Sequence, residues 1–150
     1  MFLGIDGIIV NQKDACGLTP AVSKVSSGAL EFLPLFSIKF VKNFLEDSKK
    51  IGFKIISTNI DDEGGEASPE EDSSQPITAV NDLKIAKDEN IIVILGSEGQ
   101  GVSKTVNLLA DHRVFIPPKL DSSLTGQFPF TMIDSLNVGV SAALMLYHLK

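Results

Sequence analysis

Glu98 is the carboxylate with the most suggestive setting in this sequence. It stands between Ser97 and Gly99 in the stretch 91–101, IIVILGSEGQG. Five consecutive β-formers, Ile91 to Leu95, run into Gly96, Gly99 and Gly101, and an amphipathic segment follows from Val102. That order predicts a buried parallel strand, a tight glycine turn and a helix start. Glycine lets a ligand come within contact distance of the backbone, and the unpaired N–H groups that open a helix can donate to it. The turn is therefore a candidate seat for a nucleotide or nucleoside, at the carboxyl end of a strand where open α/β sheets place their ligands. A carboxylate there can orient a substrate or shape a proton path; by itself it can equally cap the following helix. Two distant stretches are its companions, Phe115-Ile116-Pro117 and Ser135-Leu136-Asn137-Val138. Asn137 taken alone is a helix-start residue.

Several common chemistries lack their residues. A dinucleotide fingerprint needs G-x-G-x-x-G and an acid about twenty residues on. This chain has the order G-x-x-G-x-G, and its next strand ends in Pro117-Pro118 without an acid. No Gly-Lys-Ser/Thr forms a P-loop, and no serine lies in a G-x-S-x-G elbow. The lone Cys16 makes no internal disulfide, and neither His112 nor His148 falls at a metal-ligand spacing from it. A metal is not expected, and a reducing compartment fits.

The elements that must position the glycine turn follow from the apolar pattern. Residues 5–10 read as a strand. Thr19-Pro20 reads as an N-cap with proline at the first helical position, opening a helix through Val22, Val25 and Ala29 that ends before Pro34. Leu35 to Ile38 is a brief strand. Phe40, Val41, Phe44, Leu45 and Ile51 recur at helical spacing, and Gly52 closes that helix before a strand from Phe53 to Thr58. A weak helix or turn is expected at 80–88. After the central strand comes a helix using Val102, Val106, Leu109 and Ala110, then a strand from Arg113 to Ile116. The last helix, Leu136 to Leu149, is apolar on nearly all sides and is expected to be buried, in the core or against another subunit. Strands alternating with helices predict an α/β fold with a mostly parallel sheet flanked by helices.

At 150 residues and 43% apolar content the chain is most economically one domain, 1–150. Its apolar runs are far shorter than the roughly 20 residues a membrane span needs, so no membrane role is expected. The formal charge of −6 argues at first against a polyanionic partner. Seven acids with no base lie in 60–76, however, and the rest of the chain carries +1. That segment also combines Gly, Ser and Pro with few apolar residues, the composition of a disordered acidic insertion.

The triple LGSEGQG, then IP, then SLNV resembles the SpoU (TrmH-like) branch of the SPOUT superfamily, RNA ribose 2′-O-methyltransferases that use S-adenosylmethionine. The stretches FLGIDGIIV, LTPAVSKVSSGALEFLP and GFKIISTN are similar to the same family, so the likeness covers nearly the whole chain. The resemblance implies a C-terminal trefoil knot, an exception to the rule against threaded chains. It implies cofactor binding by backbone groups around Gly96, Ile116 and Leu136, with Thr58 at a neighbouring strand end. Glu98 and Asn137 would face the reacting ribose, and Ser135 would help hold the loop. These residue types suit such chemistry. Methyl transfer needs a positioned hydroxyl and a way to lose its proton, and adenine can be recognised by backbone groups between apolar walls. The family also implies RNA as partner and a homodimer.

Family members normally begin this domain with a strand and helix bearing an asparagine and an arginine, the latter acting with the RNA phosphate on the 2′-hydroxyl. Here Phe2-Leu3-Gly4 matches the sequence just after that helix, so the expectation is a partial catalytic domain without its first strand and helix. The insertions at 60–76 and 118–134 and the phrase DSLNVGVSAA are most similar to fungal mitochondrial members acting on large-subunit ribosomal RNA, with guanosine as the nucleotide. This implies a mitochondrial location, with a cytoplasmic one as the alternative. Two functional readings follow: RNA 2′-O-methylation, or a catalytically inactive cofactor-binding or assembly fragment that lacks the arginine.

Overall fold

The computed structural model describes residues 3–13, 17–59, 76–97, 101–117 and 136–149. The chain opens with strand β1, Ile8–Asn11, helix α1, Pro20–Val25, and strand β2, Leu35–Ile38. β1 and β2 pair in parallel, with Ile8 opposite Leu35 and Asn11 opposite Ile38. Pro20 sits in the first turn of α1, where its missing N–H is not needed, and Thr19 is extended without a side-chain capping bond. The helix expected to continue to Ala29 stops at Val25. Ser27 (φ 52°) and Gly28 (φ 79°) turn left-handed, and the Gly28 N–H bonds back to the Ser23 carbonyl at 2.9 Å. The Ser26 hydroxyl donates to that same carbonyl and accepts from Leu30 N–H, offering the backbone partners a helix would otherwise supply. A single 3-10 turn, Ala29–Glu31, follows.

Helix α2, Val41–Lys50, leads through Gly52 (φ 94°) into strand β3, Lys54–Thr58. Strand β4 is Ile77–Ala79, β5 is Ile91–Ile94, and helix α3 is Lys104–Asn107. Strand β6, His112–Phe115, and helix α4, Val138–His148, complete the described elements. Four strands form a parallel sheet in the order β4-β6-β3-β5, so every described strand pairing is parallel, as the alternation of elements predicts. β4 was not expected. Three residues show no alternation, and they are held as a strand by Thr78 aligning with Val114 on β6. The expected helix at 80–88 is only a 3-10 turn, Val80–Asp82, and α3 is a single turn rather than a longer helix. The acidic insertion, apart from Pro76, and the connection 118–134 lie outside the described residues, as does the path on which the knot would depend.

β3 carries the core. Ile55, Ile56 and Ser57 are fully buried, and successive side chains point to opposite faces of the strand. Ile55 joins Leu45 of α2 and Ala110 on one side, and Ile56 joins Val80, Leu83, Val114 and Met145 of α4 on the other. Each enclosed aliphatic side chain contributes roughly 1.5–3 kcal/mol. α4 is enclosed by this chain's own core only in part. Only its Met145 is buried, while Val140, Leu144 and Tyr147 are exposed, because among the described residues its packing runs through one face alone.

Asp111 fastens β3 to the start of β6. Its N–H donates to the Ile55 carbonyl and its Oδ2 accepts from Ile55 N–H, both at 2.8 Å. Lys49 of α2 stands 3.0 Å from the other carboxylate oxygen and donates to the Leu109 carbonyl. Partial burial pushes the Asp111 carboxyl up, but the Ile55 amide, the Lys49 ammonium and the charge on Lys54 together hold it below the usual aspartate value. In the unfolded chain the carboxylate therefore takes up its proton first. Its stabilising contribution is complete at neutral pH, erodes as the pH falls below about 3.9, and is gone once the pH passes the lowered folded value. Asp111→Ala leaves the buried Ile55 N–H without an acceptor and is expected to cost about 1–3 kcal/mol in urea unfolding at pH 7. The gap between variant and parent should shrink toward pH 3; a gap that stayed constant would show that the carboxylate's charge contributes nothing.

Candidate functional site

β5, β3 and β6 lie side by side and run the same way, so their carboxyl ends share one edge. Gly96 follows β5 by two residues, Thr58 ends β3, and Ile116 follows β6. Ser57 stands opposite both Ile94 and Arg113, and Thr58 opposite Val114, so Gly96 and Ile116 follow within two residues of the level of Thr58. The Thr58 hydroxyl donates to the Ile94 carbonyl at 3.1 Å and ties the ends of β3 and β5 together. Ile116 packs against the Ile56–Val114–Met145 cluster.

The turn after β5 closes on itself. Ser97 N–H donates to the Gly101 carbonyl at 3.2 Å, and Gly101 N–H returns to the Ser97 carbonyl at 2.9 Å. A Cβ on Gly96 would meet the Gly101 backbone, lying 2.7 Å from both Gly101 Cα and Val102 N. Gly101 takes φ 62°, the left-handed region. The glycines at 96 and 101 are thus required by the turn's own backbone contacts. Ser103 then opens α3 with extended dihedrals and no side-chain capping bond.

Leu136 and Asn137 stand at the head of α4. Asn137 Oδ1 accepts from Gly139 N–H at 2.9 Å, an N-cap, and Leu136 is 47% exposed. Among the described residues no hydrogen bond ties Leu136 to the edge that holds Gly96, Thr58 and Ile116. Glu98 and Ser135 lie outside the described residues.

Two asparagines that sequence reasoning passed over sit at this edge. Asn59, the residue after β3, donates from Nδ2 to Ser57 Oγ (3.2 Å) and to the Ser57 carbonyl (3.3 Å). Its Oδ1 accepts from Asn107 Nδ2 of α3 at 3.1 Å. The available signal was an asparagine directly after a strand whose preceding residues are apolar.

Gly96, Ser97, Gly101 and Val102 also border a cavity of about 2010 Å³ whose other walls come from β1, β2, α2, the segment 83–90, β5, α3 and the end of α4. Thr58, Ile116 and Leu136 do not line it.

A family model, the SpoU rRNA Methylase family, matches residues 1–147. The human protein "rRNA methyltransferase 1, mitochondrial" is 32% identical over 97% of this chain and 38% of its own length. The Dictyostelium discoideum protein of the same name is 30% identical over 99% of this chain and 24% of its own length. This chain therefore spans between about a quarter and just under half of the length of the curated relatives it matches. Among solved structures, an AdoMet-bound rRNA methyltransferase from Sinorhizobium meliloti superposes with a TM-score of 0.71 at 15% identity, covering 99% of this chain and 46% of that one. At that identity the likeness concerns the fold.

Gly96→Ala tests the closure of the turn. The added methyl group meets backbone on the Gly101 side, which cannot rotate away, so a stability loss of about 1–3 kcal/mol is expected by chemical unfolding. A variant as stable as the parent would show that the turn opens freely.

Proposed function

The chain belongs to the SpoU rRNA Methylase family, and from that premise we propose that it supplies the cofactor-binding part of S-adenosylmethionine-dependent 2′-O-ribose methylation of RNA. The substrate in this reading is large-subunit ribosomal RNA at a guanosine, and the location is the mitochondrion, which the names of the human and Dictyostelium relatives support. The observation that carries the reading is the shared strand edge: a closed glycine turn, the Thr58 bridge and the start of the Ile116 segment leave the same carboxyl edge of three neighbouring parallel strands.

These residues fit an adenosine-containing cofactor. The edge offers backbone donors and acceptors around Gly96 and Ile116, and Ile116 supplies an apolar wall backed by the core. Leu136 would complete the seat from the head of α4. When bound, S-adenosylmethionine supplies an electrophilic methyl group. The chain's own part is to hold the RNA ribose so that its 2′-oxygen is aligned and its proton has somewhere to go. Glu98 and Asn137 are assigned to that ribose and Ser135 to holding the loop. The Gly139 contact fixes how Asn137 presents its amide.

A specific observation favours a second reading, in which 1–150 binds cofactor or subunits without catalysing transfer by itself. The β1–β2 pair and the four-stranded sheet share no strand pairing among the described residues. Lys54 N–H bonds to the Asn90 carbonyl, so in this parallel ladder the backbone groups of Ile91 and Val93 point away from β3. Ile9 on β1 and Ile91 and Val93 on β5 line the same 2010 Å³ cavity. That volume is about twice the upper end of a small-molecule pocket, which runs to about 1,000 Å³, and suits a polypeptide segment better. The gap supports the view that a further polypeptide segment fills the space between β1 and β5.

Titration with S-adenosylhomocysteine and with NADH tests the cofactor: binding of the first alone is expected, and binding of NADH alone would overturn the reading. Labelled cofactor with RNA then separates the two functions. Transfer by 1–150 supports catalysis by this chain, and cofactor binding without transfer supports the incomplete domain.

We also propose a homodimer through α4, whose exposed Val140, Leu144 and Tyr147 follow one another at helical spacing on one face. Sedimentation velocity should give a dimer that Leu144→Glu converts to monomer; a parent chain that sediments as monomer at micromolar concentration rules this out.

A further inference from the structure

We propose that Asn59 and Asn107 act as a positioning pair for the cofactor-binding edge, fixing where the glycine turn leaves the sheet relative to the ends of β3 and β6. The proposal rests on the methyltransferase reading above. Neither residue is asked to touch the cofactor.

The pair joins four pieces of chain by polar contacts, beside the apolar packing that Ile56, Val114 and Val106 already provide. Asn59 N–H donates to the Val114 carbonyl of β6 at 2.7 Å, and its side-chain amide grips Ser57 of β3. Its Oδ1 takes the Asn107 amide from α3. Asn107 Nδ2 also reaches the carbonyl of Val102, the first residue out of the Ser97–Gly101 turn, at 3.4 Å. One amide-to-amide contact thus links residues 48 apart in sequence and spans the edge from Val102 to Val114.

Stability alone gives a poor reason for this arrangement. Asn107 Oδ1 is buried with no hydrogen-bond partner, a placement that works against folding. α3 is one turn long, encloses no residue fully and lacks a side-chain N-cap; besides the Ser97–Gly101 bonds and the packing of Val106, the Asn107 amide supplies a side-chain hydrogen bond at the exit of the glycine turn. The orientation of Asn107 is set by the two acceptors it serves, Asn59 Oδ1 and Val102 O. Those are the contacts that place the turn against Thr58 and Ile116.

The test is titration of the 150-residue chain with S-adenosylhomocysteine, comparing parent with Asn107→Ala. This change deletes the bridging donor together with the orphaned oxygen, so the melting temperature should stay close to that of the parent. Affinity should fall about tenfold, the equivalent of one hydrogen bond to the ligand lost when the edge is no longer held in place. Hydrogen exchange at Gly101 and Val102 should accelerate in the variant. The double variant Asn59→Ala/Asn107→Ala should bind no more weakly than the weaker single variant, as expected of two residues acting as one unit. Should Asn107→Ala fail to fold, Ser57→Ala removes one anchor of Asn59 and is expected to show a smaller affinity loss in the same direction. A parent that binds alongside variants of equal affinity overturns the positioning role. A parent that does not bind removes the cofactor reading itself, and this inference with it.

Discussion

β3 sets the position of everything around it. It is enclosed on both faces, with Ile55 in one apolar cluster and Ile56 in the other, and it is bonded on both edges, to β5 and to β6. A strand so enclosed cannot slip: one residue of shift would exchange the two clusters and break both ladders at once. The meeting of Gly96, Thr58 and Ile116 at one strand edge is a consequence of that fixed register. So is the Asp111 fastening, which works only because Ile55 directs its amide and carbonyl toward β6.

The interior is firm around β3 and open toward the beginning of the chain. β1 and β2 pair with each other and stand across a large cavity from β5. α4 touches the core through Met145 and leaves most of its apolar surface outward. Both features have the same physical meaning. Half-buried strand edges and exposed aliphatic faces are unfavourable in water, and proteins that retain them ordinarily cover them with further polypeptide. The strand edge at Gly96, Thr58 and Ile116, by contrast, is tied within the described residues by hydrogen bonds from Thr58 to Ile94 and between Ser97 and Gly101.

Local features were legible where a short pattern decides the outcome. Leu35–Ile38 is a strand as its composition predicts, Gly52 closes α2, and the run from Ile91 enters a glycine turn. The reading failed where side chains compete for the backbone or where distant partners decide. Ser26, Ser27 and Gly28 end α1 early through their own hydrogen bonds. β4 exists because β6 is beside it, and three residues carry no periodicity of their own. The apolar circumference of α4 signals a need for burial without saying what does the covering.

The amino-acid order by itself determined the alternation of strand and helix, the parallel sheet that follows from it, the glycine turn after β5 and the family likeness, because each rests on contiguous residues. Only the tertiary structure decided that β3 is the central register, that the sheet divides beside β5, and that Asn59 meets Asn107. Those outcomes depend on contacts between residues far apart in sequence. No local propensity encodes them, since each is chosen by which buried groups can be paired at the same time.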